Sequence, residues 1–486
     1  MKASLKLFLI ILVLAYCYLT FLYAFNGYPG FIQDSTCFLP TAYFINHYHQ
    51  LINPLYDAGL DPVQHRFLFY PPLFPYTIAY ILRLMPEFYN NIQISLTIID
   101  FLSILVLFVA IYFYVKKNNI KTTVALYAFS IVWLLALFSF YGIQEGRPEV
   151  LCKLFISCFI LNNVYQSKRF HHFNNGLLVA LNLITSPVST FYLMLINFGL
   201  LIYQGNFKVK PIVQTLSGLA IVLGCFTMVY PYHISELLAG LHKHSQNVIV
   251  NRHAIDQLGN FIRFYITYAY TPFLIFNLVI PLLYVFYLLI KERKYISIAI
   301  LLVLSLIISY FSFKDMPMNY NMIVLAPFCF FILFVMIAKI LKEQRQTLLL
   351  KASSIMLCLL FLINSTGFIR KTLLFFGTQD NKVSYQDFRK EFLKVYKVTK
   401  KDKQIAISFS LWPYCLDEYK NITMSNTHPS VQFEMVQQLY SGQAEPAPHP
   451  GFKLISNNFI NKKPKLGKIP LGNTYPWFQT ATYERK

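Results

Sequence analysis

About eleven apolar runs in this 486-residue chain are long enough, or nearly so, to cross a membrane as helices. A helix needs about 20 mostly apolar residues to span roughly 30 Å of hydrocarbon. The runs lie at about 5–25, 92–115, 122–142, 148–166, 174–186, 188–204, 211–230, 271–290, 295–313, 318–338 and 347–368. Only 13% of the residues are charged, about half the share that is usual in soluble domains. We therefore predict an all-α polytopic membrane protein and exclude a soluble enzyme.

The distribution of basic residues predicts the sidedness of the loops. The apolar run 73–85 is too short to cross and contains Arg83, so it is interpreted as an interfacial or re-entrant helix. With the N-terminus in the cytoplasm, the basic loops then all lie inside: Lys116, Lys117 and Lys121; Lys168 and Arg169; Lys208 and Lys210; Lys291, Arg293 and Lys294; Lys339, Lys342 and Arg345. The positive-inside rule favours this topology, with eleven crossings and an external C-terminus. The net charge of +21 thus indicates a membrane surface rather than a nucleic-acid partner.

Two predicted outer segments are long, one at about 26–91 and one at about 231–270. From about residue 369 the composition turns polar, so residues 1–368 are predicted to form a transmembrane module and residues 369–486 a small external α/β domain. Within that domain, apolar residues at helical spacing are followed by apolar residues that alternate as in a strand: Phe388, Phe392, Val395 and Tyr396, then Ile405, Ile407 and Phe409.

Three motifs fall on the predicted outer face. The first loop contains Asp34, an Asn53-Pro54-Leu55-Tyr56 turn and a Tyr70-Pro71-Pro72-Leu73-Phe74-Pro75 run; Gly146-Arg147-Pro148-Glu149 opens the fourth span; and Phe313-Lys314-Asp315 begins a late loop. In order and placement these motifs resemble the GT-C membrane glycosyltransferases, and most closely their polyprenol-phosphate-mannose-dependent members. The resemblance implies a GT-C-like fold and covers about a fifth of the chain.

The resemblance implies an inverting hexosyltransferase that moves a sugar, with mannose expected, from a polyprenyl phosphate to a saccharide, lipid or protein hydroxyl. Asp34 would be the general base, because a hydroxyl attacks well only when its proton is removed. Positive side chains would stabilise the departing phosphate: Arg147, Lys314, Arg66 and His65. Arg and Lys suffice for this task, so no cofactor is required, although a divalent metal is compatible with the chemistry. Ser35 stands where the family often has a second acid, and Asp57 or Asp61 could replace it, with Glu149 and Tyr70 in support.

Asp100 and Lys153 lie inside predicted spans, where an unpaired charge costs about 2.5–3.5 kcal/mol. They are expected to pair, either to lock the bundle or to help bind the lipid phosphate. Seven of the eleven histidines fall in outer loops, without the HExxH spacing of a zinc site. Cys37 and Cys415 could form a disulfide if both face an oxidising compartment.

Simpler roles compete with these assignments. Asp34 could cap the following helix, Arg147 and Glu149 could pair at a helix start, and Tyr70-Pro71-Pro72 could only set the direction of a helix. Lys314 and Asp315 could likewise form an ordinary ion pair within a loop. At the level of function, a transporter or flippase of lipid-linked saccharides is one alternative, because Ser186-Pro187 separates two short apolar runs as in the broken helices of carriers. A polysaccharide ligase or polymerase is another.

Overall fold

The structure is a computed structural model that describes most of the chain. The described residues are 2–27, 34–56, 60–85, 91–139, 146–166, 170–203, 208–248, 280–313, 324–342, 372–424, 429–440, 449–460, 465–466, 469–470 and 474–486.

Helices dominate the first 342 residues. They are α1 (Lys2–Phe25), α2 (Ser35–Tyr48), α3 (Leu73–Leu82), α4 (Asn91–Lys117), α5 (Thr122–Ser139), α6 (Glu149–Tyr165), α7 (His171–Leu183), α8 (Pro187–Tyr203), α9 (Val209–Val229), α10 (Ile234–Val248), α11 (Ile280–Lys291), α12 (Tyr295–Phe313) and α13 (Ala326–Lys342). Each predicted span from the first to the tenth overlaps one of these helices, and the eleventh, 347–368, lies outside the described residues. The run 73–85 forms the ten-residue α3, shorter than a membrane crossing.

Three of the described helices are long and apolar enough to cross a membrane by length and composition: Ala3–Phe25, Asn91–Lys117 and Val209–Val229. The last of these buries only Gly218, and Leu216, Ile221 and Met228 on its surface are exposed. A helix with so much exposed apolar surface is stable in lipid rather than in water. The chain is therefore an integral membrane protein, whereas the count of eleven crossings and the side of each terminus stay predictions.

A buried charge pair lies in the core of the bundle, between α4 and α6. The Lys153 ammonium donates to the Asp100 carboxylate, and the two side chains are only 2% and 3% exposed. Ser103 and Ser157, joined by a 2.9 Å hydrogen bond between their hydroxyls, continue the polar contact. Asp100, Ser103 and Lys153 also line a cavity of about 30 Å³ whose other walls are apolar. The predicted pairing of Asp100 with Lys153 is confirmed.

The C-terminal residues form a sheet of five strands in the order β2-β1-β3-β7-β4. These strands are β1 (Gln404–Ile407), β2 (Ile422–Thr423), β3 (Val431–Tyr440), β4 (Phe452–Asn457) and β7 (Thr474–Arg485), while β5 (Lys465–Leu466) pairs with β6 (Ile469–Pro470). The predicted helix is α14 (Tyr385–Val398), which begins at a capping box between Ser384 and Asp387 and buries Phe388, Phe392 and Val395. The helix that the sequence pattern predicted here is confirmed, and so is the strand for Ile405 and Ile407, but β1 ends at Ile407 and the exposed Phe409 lies beyond it.

The sheet domain packs against the first loop, which lies between α1 and α4. The Tyr43 hydroxyl of α2 donates to the Asp417 carboxylate at 3.2 Å, and the rings of Phe44 and Tyr419 lie 4.9 Å apart. A second contact joins the end of α1 to the last strand, because the ring of Phe375 lies between those of Tyr23 and Trp477. The first loop is consequently held between the helical bundle and the C-terminal domain.

Candidate functional site

Asp34 stands at the start of α2, in the N-cap position, but its side chain forms no capping hydrogen bond. Its carboxylate instead accepts from the Arg147 guanidinium, with 2.5 Å between Nη1 and Oδ2. The Asp34 side chain is 37% exposed, so a ligand can reach it. The Asp34 side chain therefore does not cap α2, which was the simpler role that the sequence allowed.

The position of Asp34 depends on how α2 is fixed. Pro40 lies inside this helix and has no backbone N–H, so the carbonyl of Thr36, four residues earlier, receives no helical hydrogen bond from it. The buried Asn53 side chain supplies the missing donor, since its Nδ2 lies 2.8 Å from the Thr36 oxygen. The Asn53 Oδ1 in turn accepts from the backbone N–H groups of Leu55 and Tyr56. The Asn53-Pro54-Leu55-Tyr56 turn thus anchors the first turn of α2.

Gly146 allows the start of α6 to approach α2. Its φ is +76°, a left-handed conformation that favours glycine, and a Cβ there would lie 2.4 Å from the Leu39 side chain and 2.9 Å from the Ser35 Cβ. A larger residue would separate the two helices. Since Arg147 comes next in the chain, this close approach places its guanidinium beside Asp34.

Arg147 is shared by two carboxylates. Besides Asp34, it contacts Glu149 through Nε to Oε2 at 3.2 Å and Nη2 to Oε1 at 3.3 Å. Burial alone would lower the pKa of Arg147, but the charges of Glu149 and Asp34 outweigh it and raise that pKa well above its ordinary value. The predicted pairing of Arg147 with Glu149 is confirmed, and the contact with Asp34, which the sequence did not reveal, joins the first two motifs. We call Asp34, Arg147 and Glu149 the acidic cluster.

Aromatic side chains form one wall of the acidic cluster. The Arg147 guanidinium carbon lies 5.9 Å from the centre of the Phe38 ring, and Phe38 contacts Tyr70 at 5.0 Å. The Tyr70 hydroxyl hydrogen-bonds the Ser186 hydroxyl at 2.8 Å, at the junction of α7 and α8. Burial, followed by the negative charge of Glu149, raises the pKa of Tyr70, so this group stays a neutral hydrogen-bonding phenol.

Arg66 lies in a separate ion pair. Its Nε contacts the Asp61 carboxylate at 2.6 Å and its Nη1 contacts Glu236 of α10 at 2.9 Å. His65 has a left-handed φ of 54°, and its carbonyl accepts from the backbone N–H of Asn53 at 2.8 Å. These contacts bind Arg66 and the His65 backbone into the loop structure, so a phosphate role for either residue stays a prediction.

Several other predicted residues lie elsewhere. Asp57 and Lys314 are outside the described residues, as is Asp315. Lys153 is one helical turn from Glu149 along α6, about 6 Å deeper into the bundle. Among the described residues, no three His, Cys, Asp or Glu side chains are grouped to hold a metal ion. Cys37 and Cys415 are free thiols, so the considered disulfide is not formed.

Comparison with known proteins shows a likeness in structure rather than in sequence. No family model matches the chain, and no curated protein sequence matches it. The fold is similar to that of the crystal structure of ArnT from Cupriavidus metallidurans bound to undecaprenyl phosphate, with a TM-score of 0.50, 9% sequence identity and 98% of both chains covered. This likeness shows that the two chains share a fold over nearly their whole length.

Proposed function

We propose that this protein is an inverting glycosyltransferase that moves a sugar from a polyprenyl phosphate to an acceptor hydroxyl at the outer face of the membrane. The observation that carries the proposal is the acidic cluster, in which Asp34 and Arg147, 113 positions apart in sequence, are in direct contact. A base and an anion-binding group are the two functions this reaction requires of the protein.

Asp34 is the proposed general base. As the acceptor oxygen attacks the anomeric carbon, its proton passes to the Asp34 carboxylate and a new glycosidic bond forms. The bond between the anomeric carbon and the phosphate oxygen breaks, and its electron pair stays on the phosphate. Attack from the face opposite the phosphate inverts the anomeric carbon. The oxygen of Asp34 that does not contact Arg147 is the one available for the proton.

Arg147 is the proposed ligand of the phosphate. Guanidinium groups bind phosphate oxygens through charge-assisted, often bidentate hydrogen bonds. All three contacts of Arg147 in the acidic cluster are with carboxylate oxygens. A phosphate that binds Arg147 therefore either shares the guanidinium with these carboxylates or replaces one of them. Lys314, Arg66 and His65 are proposed as further positive groups on the same face, and Asp57, Asp61 and Tyr70 as supporting groups.

The similarity to ArnT, solved with undecaprenyl phosphate bound, supports a polyprenyl-phosphate carrier as the donor's lipid part. Mannose as the sugar follows only from the resemblance of the motifs. The acceptor is proposed to be a saccharide, a lipid or a protein. The external position of the C-terminal domain is part of the same proposal, because that domain packs against the loop that carries Asp34.

The test is a release assay with the purified full-length chain. Polyprenyl-phosphate sugars, mannose first, are supplied with candidate acceptors, and the released carrier phosphate is measured. Wild type should turn over, and Asp34→Asn should lose at least about a hundredfold in rate, the lower end of what a positioned base contributes. Asp380→Asn, an exposed carboxylate of the C-terminal domain, is the matched control and should behave as wild type.

The contrary outcomes are distinct. Equal rates for wild type and Asp34→Asn would remove Asp34 as the base. Failure of every donor to react, together with uptake of a labelled lipid-linked saccharide into the opposite leaflet of a vesicle, would replace the transferase with a flippase.

A further inference from the structure

Helix α10, from the second outer segment, packs one face against the first loop. Glu236, Gly240 and His244 are four residues apart and so lie on the same side of the helix. Glu236 binds Arg66, and at Gly240 a Cβ would lie only 2.2 Å from the Leu68 carbonyl oxygen. The absence of a side chain at Gly240 therefore lets the helix backbone contact the loop backbone.

This register brings His244 to the wall of the acidic cluster. Its ring centre lies 5.4 Å from that of Phe69, and Phe69 lies 6.1 Å from Phe38, whose ring lies under Arg147. The side chain is half-buried. Burial, followed by the positive charge of Arg147, lowers the pKa of His244, so the imidazole is neutral at pH 7 in the absence of a ligand.

The charges of the cluster suggest what this imidazole can do. Two carboxylates against one guanidinium leave the acidic cluster with a net charge of about −1, which opposes binding of a phosphate. Transfer also makes the phosphate more negative, because a monoanionic diester becomes a monoester of charge about −1.5 to −2 at pH 7. Among the described positive side chains, Arg66 is already bound by Asp61 and Glu236.

We propose that His244 is a further phosphate-binding residue of this site, which donates a hydrogen bond to the lipid phosphate and gains a proton as negative charge accumulates there. The inference rests on the proposed function for the identity of the phosphate. The charged groups across the loop from His244 are Arg147 and the carboxylates Asp34 and Glu149 bound to it, and α10 itself carries Glu236, His242 and Lys243. An imidazole is suited to the task because it can change its charge near neutral pH.

The test follows the titration of His244 by NMR in the full-length protein with labelled histidine, the signal being assigned from its loss in His244→Gln. Without ligand, the titration midpoint should lie below the ordinary value of about 6.5. Farnesyl phosphate should raise it, because a bound anion stabilises the imidazolium, whereas uncharged farnesol should leave it in place. A midpoint that farnesyl phosphate does not move would overturn the inference. An equal response to inorganic phosphate would assign the site to a free anion and overturn the lipid part.

Affinity gives a second readout. His244→Gln should weaken farnesyl phosphate binding roughly tenfold at pH 6, the loss expected for one hydrogen bond to a charged group. The difference from wild type should shrink as pH rises above the midpoint of the bound state. His242→Gln, on the exposed side of the same helix, is the matched control. Equal weakening in both variants would show a general effect of α10 and overturn the assignment.

The two proposals fail separately. A shift of His244 with farnesyl phosphate, combined with no sugar transfer from any donor, would remove the transferase and keep the phosphate site. Sugar transfer without any shift of His244 would remove only this inference.

Discussion

The buried pair of Asp100 and Lys153 permits a quantitative prediction. Replacement of Lys153 by Met leaves the Asp100 carboxylate, 3% exposed and about 14 Å along α4, without its cation. Loss of one partner of a buried ion pair costs about 3–5 kcal/mol, and insertion of a single charge into a membrane helix costs a similar 2.5–3.5 kcal/mol. We therefore expect Lys153→Met to lower the free energy of unfolding by about 3 kcal/mol, the lower end of this range, because a buried carboxylate that loses its cation can take up a proton and become neutral.

The remaining variants complete a double-mutant cycle. Asp100→Leu leaves the Lys153 ammonium buried without the Asp100 carboxylate, so its cost should lie nearer 5 kcal/mol. The double variant Asp100→Leu with Lys153→Met removes both charges and should lie within about 1 kcal/mol of wild type or be more stable.

SDS-driven unfolding in mixed micelles measures the four free energies. With single costs of about 3 and about 5 kcal/mol and a double variant within about 1 kcal/mol of wild type, the coupling energy between the two positions should be about 7 kcal/mol, above the range usual for exposed pairs. Additive single effects, with a coupling energy near zero, would refute the argument, because they would mean that the two charges stabilise the bundle independently of each other.

Three further predictions concern the loop and the C-terminal domain. Gly240→Val should force α10 away from the first loop, with a loss of about 1–3 kcal/mol and faster proteolysis of α10, whereas Gly224→Val, where nothing lies within 4 Å, should keep α10 protected. Burial opposes ionisation of Asp61, but hydrogen bonds from Arg66 prevail and lower its pKa, so the stability it provides should be present at pH 5, fall towards pH 3 and be lost in Arg66→Gln at either pH, as followed by hydrogen exchange. Ser384→Ala should cost the C-terminal domain about 1 kcal/mol in thermal unfolding, because the capping box at α14 is lost.

Local patterns in the sequence are sufficient for many elements. The apolar run after residue 91 yields α4, and the spacing of Phe388, Phe392 and Val395 yields the buried face of α14. Both depend on interactions within a few residues along the chain, which periodicity reveals. The order of the five strands depends instead on pairing between distant segments, and no pattern within one strand specifies it.

The contacts of the acidic cluster also divide into local ones, which the sequence reveals, and distant ones, which it does not. The contact of Arg147 with Glu149 follows from adjacency, whereas its contact with Asp34 requires the approach of α6 to α2 at Gly146. The sequence shows His244 as one of several histidines in loops predicted to lie outside, but only its spacing from Glu236 and Gly240 indicates which side of α10 it occupies. That spacing can be read from the sequence, but the surface of the first loop against which this side of α10 packs cannot.

The C-terminal domain packs against the first loop and against the end of α1, and this packing sets an order for biosynthesis. Ribosomes release α2 long before they reach Asp417 and Trp477, so the loop that carries Asp34 waits for most of translation without the surface that covers Tyr43 and Tyr23. Assembly of this part of the structure can finish only after the C-terminal domain has been made and has packed against the first loop. A premature stop codon in the final tenth of the reading frame would remove β7, which pairs with β3 and β4, and would therefore leave the sheet beside the first loop incomplete although the helices of the first 342 residues had been made.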